Sequence, residues 1–334
     1  MSENQIIKLG KGAFRDRPDA RDYPLRDVCG AVLIDWDTGY DVEKALGVNL
    51  KVEHQNGSLS CVAQAWTKYT EVLDLVETGR MPDHSAKSIY EQIYLPEGGA
   101  YLRDGAQAIV KGGVALESWI PSYDSNGNPP LEEFMRKQTI TPELRKKMKV
   151  YQAKEYRSIG SADVDLIAWA IQNSYGAVTA ADGDNAGWVD GIIKNPVKRE
   201  WGHAFYFTAF GKDGHGRFLK FINSWGTKWG FNGWGIIYVD EFNISQHLYG
   251  AWTLIDKPNV QVLPDPKLMA LLNKKKNKIF FNAETGNFGL SVGDQLLELK
   301  EPTRAGLMAL MAMVRDSGVT LKNEDWLKLP KKPF

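Results

Sequence analysis

Residues 222–235 read Ile-Asn-Ser-Trp-Gly-Thr-Lys-Trp-Gly-Phe-Asn-Gly-Trp-Gly. Three tryptophans (Trp225, Trp229, Trp234) and four glycines (Gly226, Gly230, Gly233, Gly235) share this short stretch. It is too aromatic for a plain loop and too rich in glycine for a plain strand. Working upstream, Arg217–Ile222 and Ala204–Phe210 are apolar runs of strand length. Lys212-Asp-Gly-His-Gly216 between them is turn chemistry, so the two runs predict a hairpin. That hairpin carries Asn223, just past the second strand, back to the level of His203, just before the first. The side-chain oxygen of Asn223 could then accept the imidazole proton, as the orienting member of a catalytic triad does.

A histidine held in this way needs a nucleophile. There are two cysteines, Cys29 and Cys61. Downstream of Cys61, apolar residues recur at Val62, Ala65, Trp66, Tyr69, Val72, Leu73 and Val76, which predicts an amphipathic helix over 62–78 ending at Gly79. Cys61 thus lies at a helix N-terminus, where unpaired N–H groups carry roughly half a positive charge. A free thiol has a pKa of about 8.5, and a helix N-terminus or a neighbouring imidazolium lowers it. His203 lies 142 residues after Cys61 and 20 before Asn223, and Gly202 beside it permits close backbone approach. Gln55, six residues before Cys61, could donate its amide to a tetrahedral oxyanion together with the Cys61 N–H. Cys29 has no motif around it and reads as structural. His54, next to Gln55, could approach the same site.

These blocks resemble the papain-like cysteine peptidases. Gln55-Asn-Gly-Ser-Leu-Ser-Cys61 is similar to that family's Gln-x-Gly-x-x-Ser-Cys pattern, and Gly202-His-Ala204 and Asn223-Ser-Trp-Gly226 to its other two blocks. Asp35-Trp36 resembles the start of the mature domains. Tyr101–Gly113 resembles the second helix region of bacterial and viral members, and Tyr175-Gly-Ala-Val-Thr179 the strand before the histidine. The resemblance covers about residues 31–256. It implies an α+β, two-lobed fold with a helical lobe and an antiparallel, barrel-like β lobe. It also implies that Trp225 shields the His203–Asn223 contact and that Trp229 lines the leaving-group side of the cleft. The chain departs from the family at Ser58, where a disulfide cysteine is usual, and at Val62, where tryptophan is usual. The family's long inhibitory propeptide has no counterpart in the roughly 30 residues before the domain.

Elsewhere the sequence predicts helices over Leu102–Val110 and Ala162–Ile171, the latter capped by Ser161, and strands over Ala177–Ala181 and Gly235–Val239. Residues 1–30 are expected to form an extended arm and 31–256 the peptidase domain. A linker over 257–278 contains the basic run Lys274–Lys278, and 279–334 form a small α+β module. In that module Ile279–Phe281 and Leu290–Leu299 read as strands and Thr303–Asp316 as a helix, with Met308, Met311 and Met313 as core. Residues 257–334 carry 13 Lys and Arg against 8 Asp and Glu, a difference of +5. The whole chain is neutral, which gives no ground for expecting nucleic acid or a membrane surface as partner. No apolar run reaches the ~18 residues of a membrane span. No secretory signal and no disulfide framework is apparent, so a cytoplasmic location is expected. No cofactor or metal is expected; the five histidines lack ligand spacing.

The expectation is therefore a thiol endopeptidase acting on protein or peptide, with Cys61, His203, Asn223 and Gln55 as its working set. The alternative is a papain-fold binding or structural protein of a larger assembly, such as a virus particle, with little or no catalysis. A transferase or amidase would use the same thiol chemistry. The C-terminal module has the size to dock on a partner or to cover the cleft.

Overall fold

A computed structural model describes residues 11–20, 22–29, 32–123, 140–160 and 163–255, together with four backbone strands beyond residue 277. By compactness the chain divides into Met1–Asp256 and Lys257–Phe334. In the first unit the elements run β1 (Ala13–Phe14), β2 (Tyr40–Asp41), α1 (Val42–Leu46), α2 (Cys61–Thr78), α3 (Ala86–Ile93), β3 (Ala100–Tyr101), α4 (Leu102–Gly112), α5 (Pro142–Met148), β4 (Glu155–Ile159), α6 (Val164–Asn173), β5 (Ala177–Gly183), β6 (Trp201–Asp213), β7 (Gly216–Ile222), β8 (Trp234–Tyr238), α7 (Ile244–His247) and β9 (Leu248–Ile255). The fold is α+β, with helices α2 to α4 on one side and a large sheet on the other.

The apolar stripe of α2 forms the expected helix, which stops at Gly79 in a left-handed conformation with φ of 73°. The helix is not amphipathic in its surroundings, however. Every residue from Cys61 to Asp74 is buried, polar positions included, while Val76, placed by its spacing on the inner stripe, is 38% exposed. Burial of the polar face is balanced locally. Lys68 pairs with Glu71 at 2.5 Å, and Thr67 and Thr70 donate their hydroxyls to carbonyls one turn back. The tips of Trp66 and Tyr69 donate to the carbonyls of Leu102 and Ser174.

The sheet runs in the order β4-β9-β5-β6-β7-β8, with β2 added alongside β6, and every pairing is antiparallel. Its central strand β6 is buried from His203 to Gly211 because it packs on α2 and lies between β5 and β7. The expected hairpin is β6–β7, closed by Asp213 opposite Gly216. Trp36 is buried and donates its Nε1–H to Asp165 at 2.9 Å, which ties the segment before β2 to α6. Helix α6 begins at Val164, two residues later than the spacing predicts. Its cap is Asp163, whose carboxylate accepts from the Leu166 amide. Ser161, the predicted cap, lies outside the described residues.

In the second unit the backbone forms β10 (Lys278–Phe281), β11 (Phe288–Val292), β12 (Gln295–Leu299) and β13 (Lys331–Pro333), paired in that order. The first two pairings are antiparallel and the last is parallel. The stretch expected as one strand over Leu290–Leu299 divides into parts of two. The predicted helix at Thr303–Asp316 and most of the 257–278 linker lie outside the described residues. Among the described residues no helix is long and apolar enough to cross a membrane, and both cysteines are free thiols.

Candidate active site

Cys61 is the first residue of α2. The Ser60 side chain makes no capping bond to the helix, and its hydroxyl meets that of Ser58 at 2.7 Å. The first amides of the helix are therefore left uncapped. The Cys61 and Val62 amides, with that of Ala204 from β6, lie against the sulfur and favour its anionic form. Ala204 directly follows His203, so the thiol sits beside the strand that carries the histidine.

His203 Nε2 meets Asn223 Oδ1 at 2.7 Å. The same Oδ1 accepts the Ser224 amide at 2.7 Å. Two donors on one atom fix it as the oxygen of the carboxamide, and Nε2 must then carry the proton. Nδ1 is left as the lone-pair nitrogen, and it is buried without a hydrogen-bond partner among the described residues. Asn223 is itself held by its backbone N–H, which donates to Gly233 at 2.9 Å. Trp225 is buried with its ring centroid 4.3 Å from that of His203 and its plane tilted 32° to the imidazole. Trp229 is also fully buried. It stands edge-on to Trp225 at 5.4 Å and donates to the Trp188 carbonyl, so it supports Trp225 from behind.

Gln55 joins the two sides. Its backbone N–H donates to the Ser224 carbonyl at 2.8 Å, its Oε1 accepts from the Ser224 hydroxyl, and its Nε2 donates to the Ser58 carbonyl at 2.7 Å. A primary amide has two N–H groups, so one donor remains beyond the bond to Ser58. Ser58, at the position of the family's disulfide cysteine, donates its hydroxyl to the Gln55 carbonyl at 2.6 Å and closes the same turn by hydrogen bonding.

The N-terminal arm lies on this site. Gly12 donates its N–H to the Gly202 carbonyl at 3.1 Å and accepts from the Ala100 amide at 2.8 Å. Ala13 and Phe14 continue as β1, parallel to β3. Gly12 has φ of +125°, and a Cβ there would come within 2.6 Å of the Leu59 carbonyl. The arm thus runs between the residues that precede Cys61 and the residue that precedes His203. Cys61 and His203 are both 0% exposed. Burial pushes the thiol up to about 12 against the partial help of its amides. Burial likewise pushes the imidazole down to about 3, with Asn223 opposing and the Lys11 ammonium of the arm adding to the drop. The helix terminus, which by itself lowers a thiol's pKa, is outweighed while the arm is in place, and the pair is neutral.

Of the residues singled out in the sequence, Cys61, His203, Asn223, Gln55 and Trp225 converge. Cys29 is buried near Leu25, away from them. His54 packs its ring against Gly226 and accepts the Asn56 amide at Nδ1, 2.8 Å away. Sequence reasoning missed Gly12, whose place depends on tertiary contacts alone. It also missed Trp188 and Trp201, which stand edge-on to His203 at 5.7 and 6.5 Å. Trp201 abuts the Gly-His block, and that adjacency was the one available signal.

A family profile described as papain family cysteine protease matches residues 40–250. No curated protein matches in sequence. Among solved structures, the chain is similar to xylellain, a cysteine protease from Xylella fastidiosa, with a TM-score of 0.59 and 23% identity over 75% of this chain and 97% of that one. It is also similar to digestive procathepsin L 3 of Tenebrio molitor larval midgut, with a TM-score of 0.55 and 17% identity over 76% and 79%. At these identities the structural likeness speaks for the fold.

Proposed function

The chain belongs to the papain family of cysteine proteases, and from that premise we propose that it is an endopeptidase in which Cys61 and His203 form the working pair. The observation that carries this reading is the 2.7 Å contact between His203 Nε2 and Asn223 Oδ1, which leaves Nδ1 as the base. A peptide that enters where Gly12 lies would bring its carbonyl to the start of α2. His203 Nδ1 takes the thiol proton, and the thiolate attacks the carbonyl carbon. The oxyanion is met by the Cys61 amide and the remaining Gln55 N–H. His203 then gives its proton to the departing amine, and water, deprotonated by the same nitrogen, hydrolyses the thioester. Asn223 holds the ring in the required tautomer throughout, and Trp225 keeps water from that hydrogen bond.

Turnover of a casein-type substrate by the full chain, with Cys61→Ala as control, tests the reading. A thiol-directed epoxide should label Cys61. Labelling that persists in Cys61→Ala and disappears in Cys29→Ala would refute the assignment. We further assign residues 257–334 to anchoring or regulation, and the two free thiols to a reducing compartment. Unchanged activity and association after truncation behind Asp256 would remove the first assignment.

A further inference from the structure

Beside the working pair lies a buried carboxylate that the reaction does not use. Asp182 is on β5, opposite Gly202, with Ala181 opposite His203. It is 4% exposed. Its Oδ2 receives Arg15 Nη2 at 2.8 Å, Arg199 Nε at 3.3 Å and His247 Nδ1 at 3.3 Å. Arg15 belongs to the arm, three residues beyond Gly12. Its Nη2 also donates to the Gln246 carbonyl at 2.7 Å and its Nη1 to the Leu248 carbonyl at 3.3 Å. The guanidinium carbon lies 4.3 Å from the centre of the Tyr249 ring. One carboxylate, two carbonyls and an aromatic face therefore converge on a single guanidinium, which is the full set of partners that group seeks.

We propose that this pocket, floored by Asp182, is the specificity site for an arginine or lysine side chain of the substrate peptide, and that Arg15 of the chain's own arm holds that place in this structure. The inference rests on Cys61 and His203 being the working pair. Any extended peptide that presents a carbonyl to Cys61 must pass the gap among Leu59, Gly99 and Gly202 that Gly12 now fills. Strand residues advance about 3.3 Å each, so a side chain one or two positions from the scissile bond reaches the strand pair Asp182–Gly202. With Arg15 withdrawn, Asp182 keeps the Tyr249 hydroxyl, His247 and Arg199, of which only Arg199 carries a fixed charge, and the Arg199 side chain is half exposed. A buried carboxylate in that state favours an entering cation. Arginine should exceed lysine, because only its planar fork can meet the carboxylate and the carbonyls while stacking on Tyr249.

The arm competes as a tethered ligand at an effective concentration on the order of millimolar, so binding is best read with Arg15 removed. The test measures binding of short peptides to the full chain carrying Cys61→Ala and Arg15→Ala, with Arg, Lys, Leu or Glu placed in turn at each of the three positions on either side of the bond. At one position Arg should bind at least about tenfold tighter than Leu, and Lys should fall between them. Adding Asp182→Asn, which keeps the side-chain shape, should bring Arg and Leu within about threefold. Epoxide labelling of Cys61 in Arg15→Ala/Asp182→Asn, run beside Arg15→Ala, reports that the site is still formed. In the chain with Cys61 intact, Arg15→Ala should lower KM for the arginine peptide and leave kcat nearly unchanged. Equal binding of Arg and Leu at every position, or a preference that survives Asp182→Asn, overturns the proposal. Turnover without a basic preference would refute the pocket and leave the endopeptidase standing. A basic preference without turnover would support the pocket and refute the endopeptidase.

Discussion

The backbone N–H of Gly12 donates to the carbonyl of Gly202 at 3.1 Å, so the N-terminal arm is bonded to the residue directly before His203. Gly12 can hold this place because it has no side chain: a Cβ would fall 2.6 Å from the Leu59 carbonyl at a φ of +125°. Gly12→Val should cost the docked arm about 1–3 kcal/mol in backbone strain alone. Each 1.4 kcal/mol is about tenfold in population, so epoxide labelling of Cys61 should accelerate at least roughly fivefold. Labelling at the wild-type rate would mean that the arm does not control access.

The Asn223 carboxamide serves two donors, His203 Nε2 and the Ser224 amide. Asn223→Ala frees the imidazole to turn or to change tautomer and leaves two buried donors unpaired. The expected result is a fall in kcat of about a hundredfold or more with a much smaller change in KM. A stability loss of about 1–3 kcal/mol should accompany it, read from urea unfolding. A variant with ordinary kcat would remove Asn223 from the working set.

Cys61, His203 and Asn223 could be found in the sequence because each stands at an element boundary with a local signal: a helix start, a Gly-His step into a strand, and the end of a hairpin. The hairpin fixed the separation of two of them. The role of Gly12 and Arg15 had no such signal. Lys11–Arg17 has no period, and its order comes from bonds to residues far away in sequence, among them Gly202, Ala100, Asp182, Gln246 and Trp252. Asp182 was equally silent, since only the β5–β6 register brings it opposite Gly202. The amphipathic pattern of α2 does not show that its polar side is also buried, where Lys68 and Glu71 neutralise each other. Helix α3 is only eight residues long, too short for periodicity to separate it from a loop.

With the arm docked, burial holds both members of the pair neutral. Burial raises the Cys61 thiol from its ordinary 9.0 to about 12 and lowers His203 from 6.5 to about 3. Both shifts favour the neutral forms. For Cys61, folded above unfolded, the contribution to the covered state is full below pH 9 and is lost between 9 and 12. For His203, folded below unfolded, it is full above pH 6.5 and is lost as the pH falls towards 3. In the full chain, the rate of iodoacetamide reaction at Cys61 should climb about tenfold per pH unit and show no plateau below about 12. In Gly12→Val, water enters and the amides at the start of α2 act unopposed, so the profile should move to lower pH by at least about one unit. Coincident profiles would show that the arm has no electrostatic effect on the thiol.

Asp16 anchors the arm one residue past Arg15. Its carboxylate accepts the Trp252 Nε1–H at 2.9 Å and the Arg103 amide at 3.2 Å. Burial outweighs these bonds and raises its pKa from 3.8 to about 6. A carboxylate raised on folding contributes most when protonated, so its contribution is full below about pH 4 and is lost as the pH rises through about 6. The arm should therefore hold more firmly in mild acid. Asp16→Asn keeps an acceptor oxygen and removes the buried charge. Its melting temperature should exceed that of the wild type at pH 7.5, and the gap should shrink as the pH is lowered to 4. Epoxide labelling of Cys61 at pH 7.5 should be slower in the variant, because the arm stays docked for a larger share of the time. A gap in melting temperature that stays constant with pH would show that Asp16 does not titrate in this range.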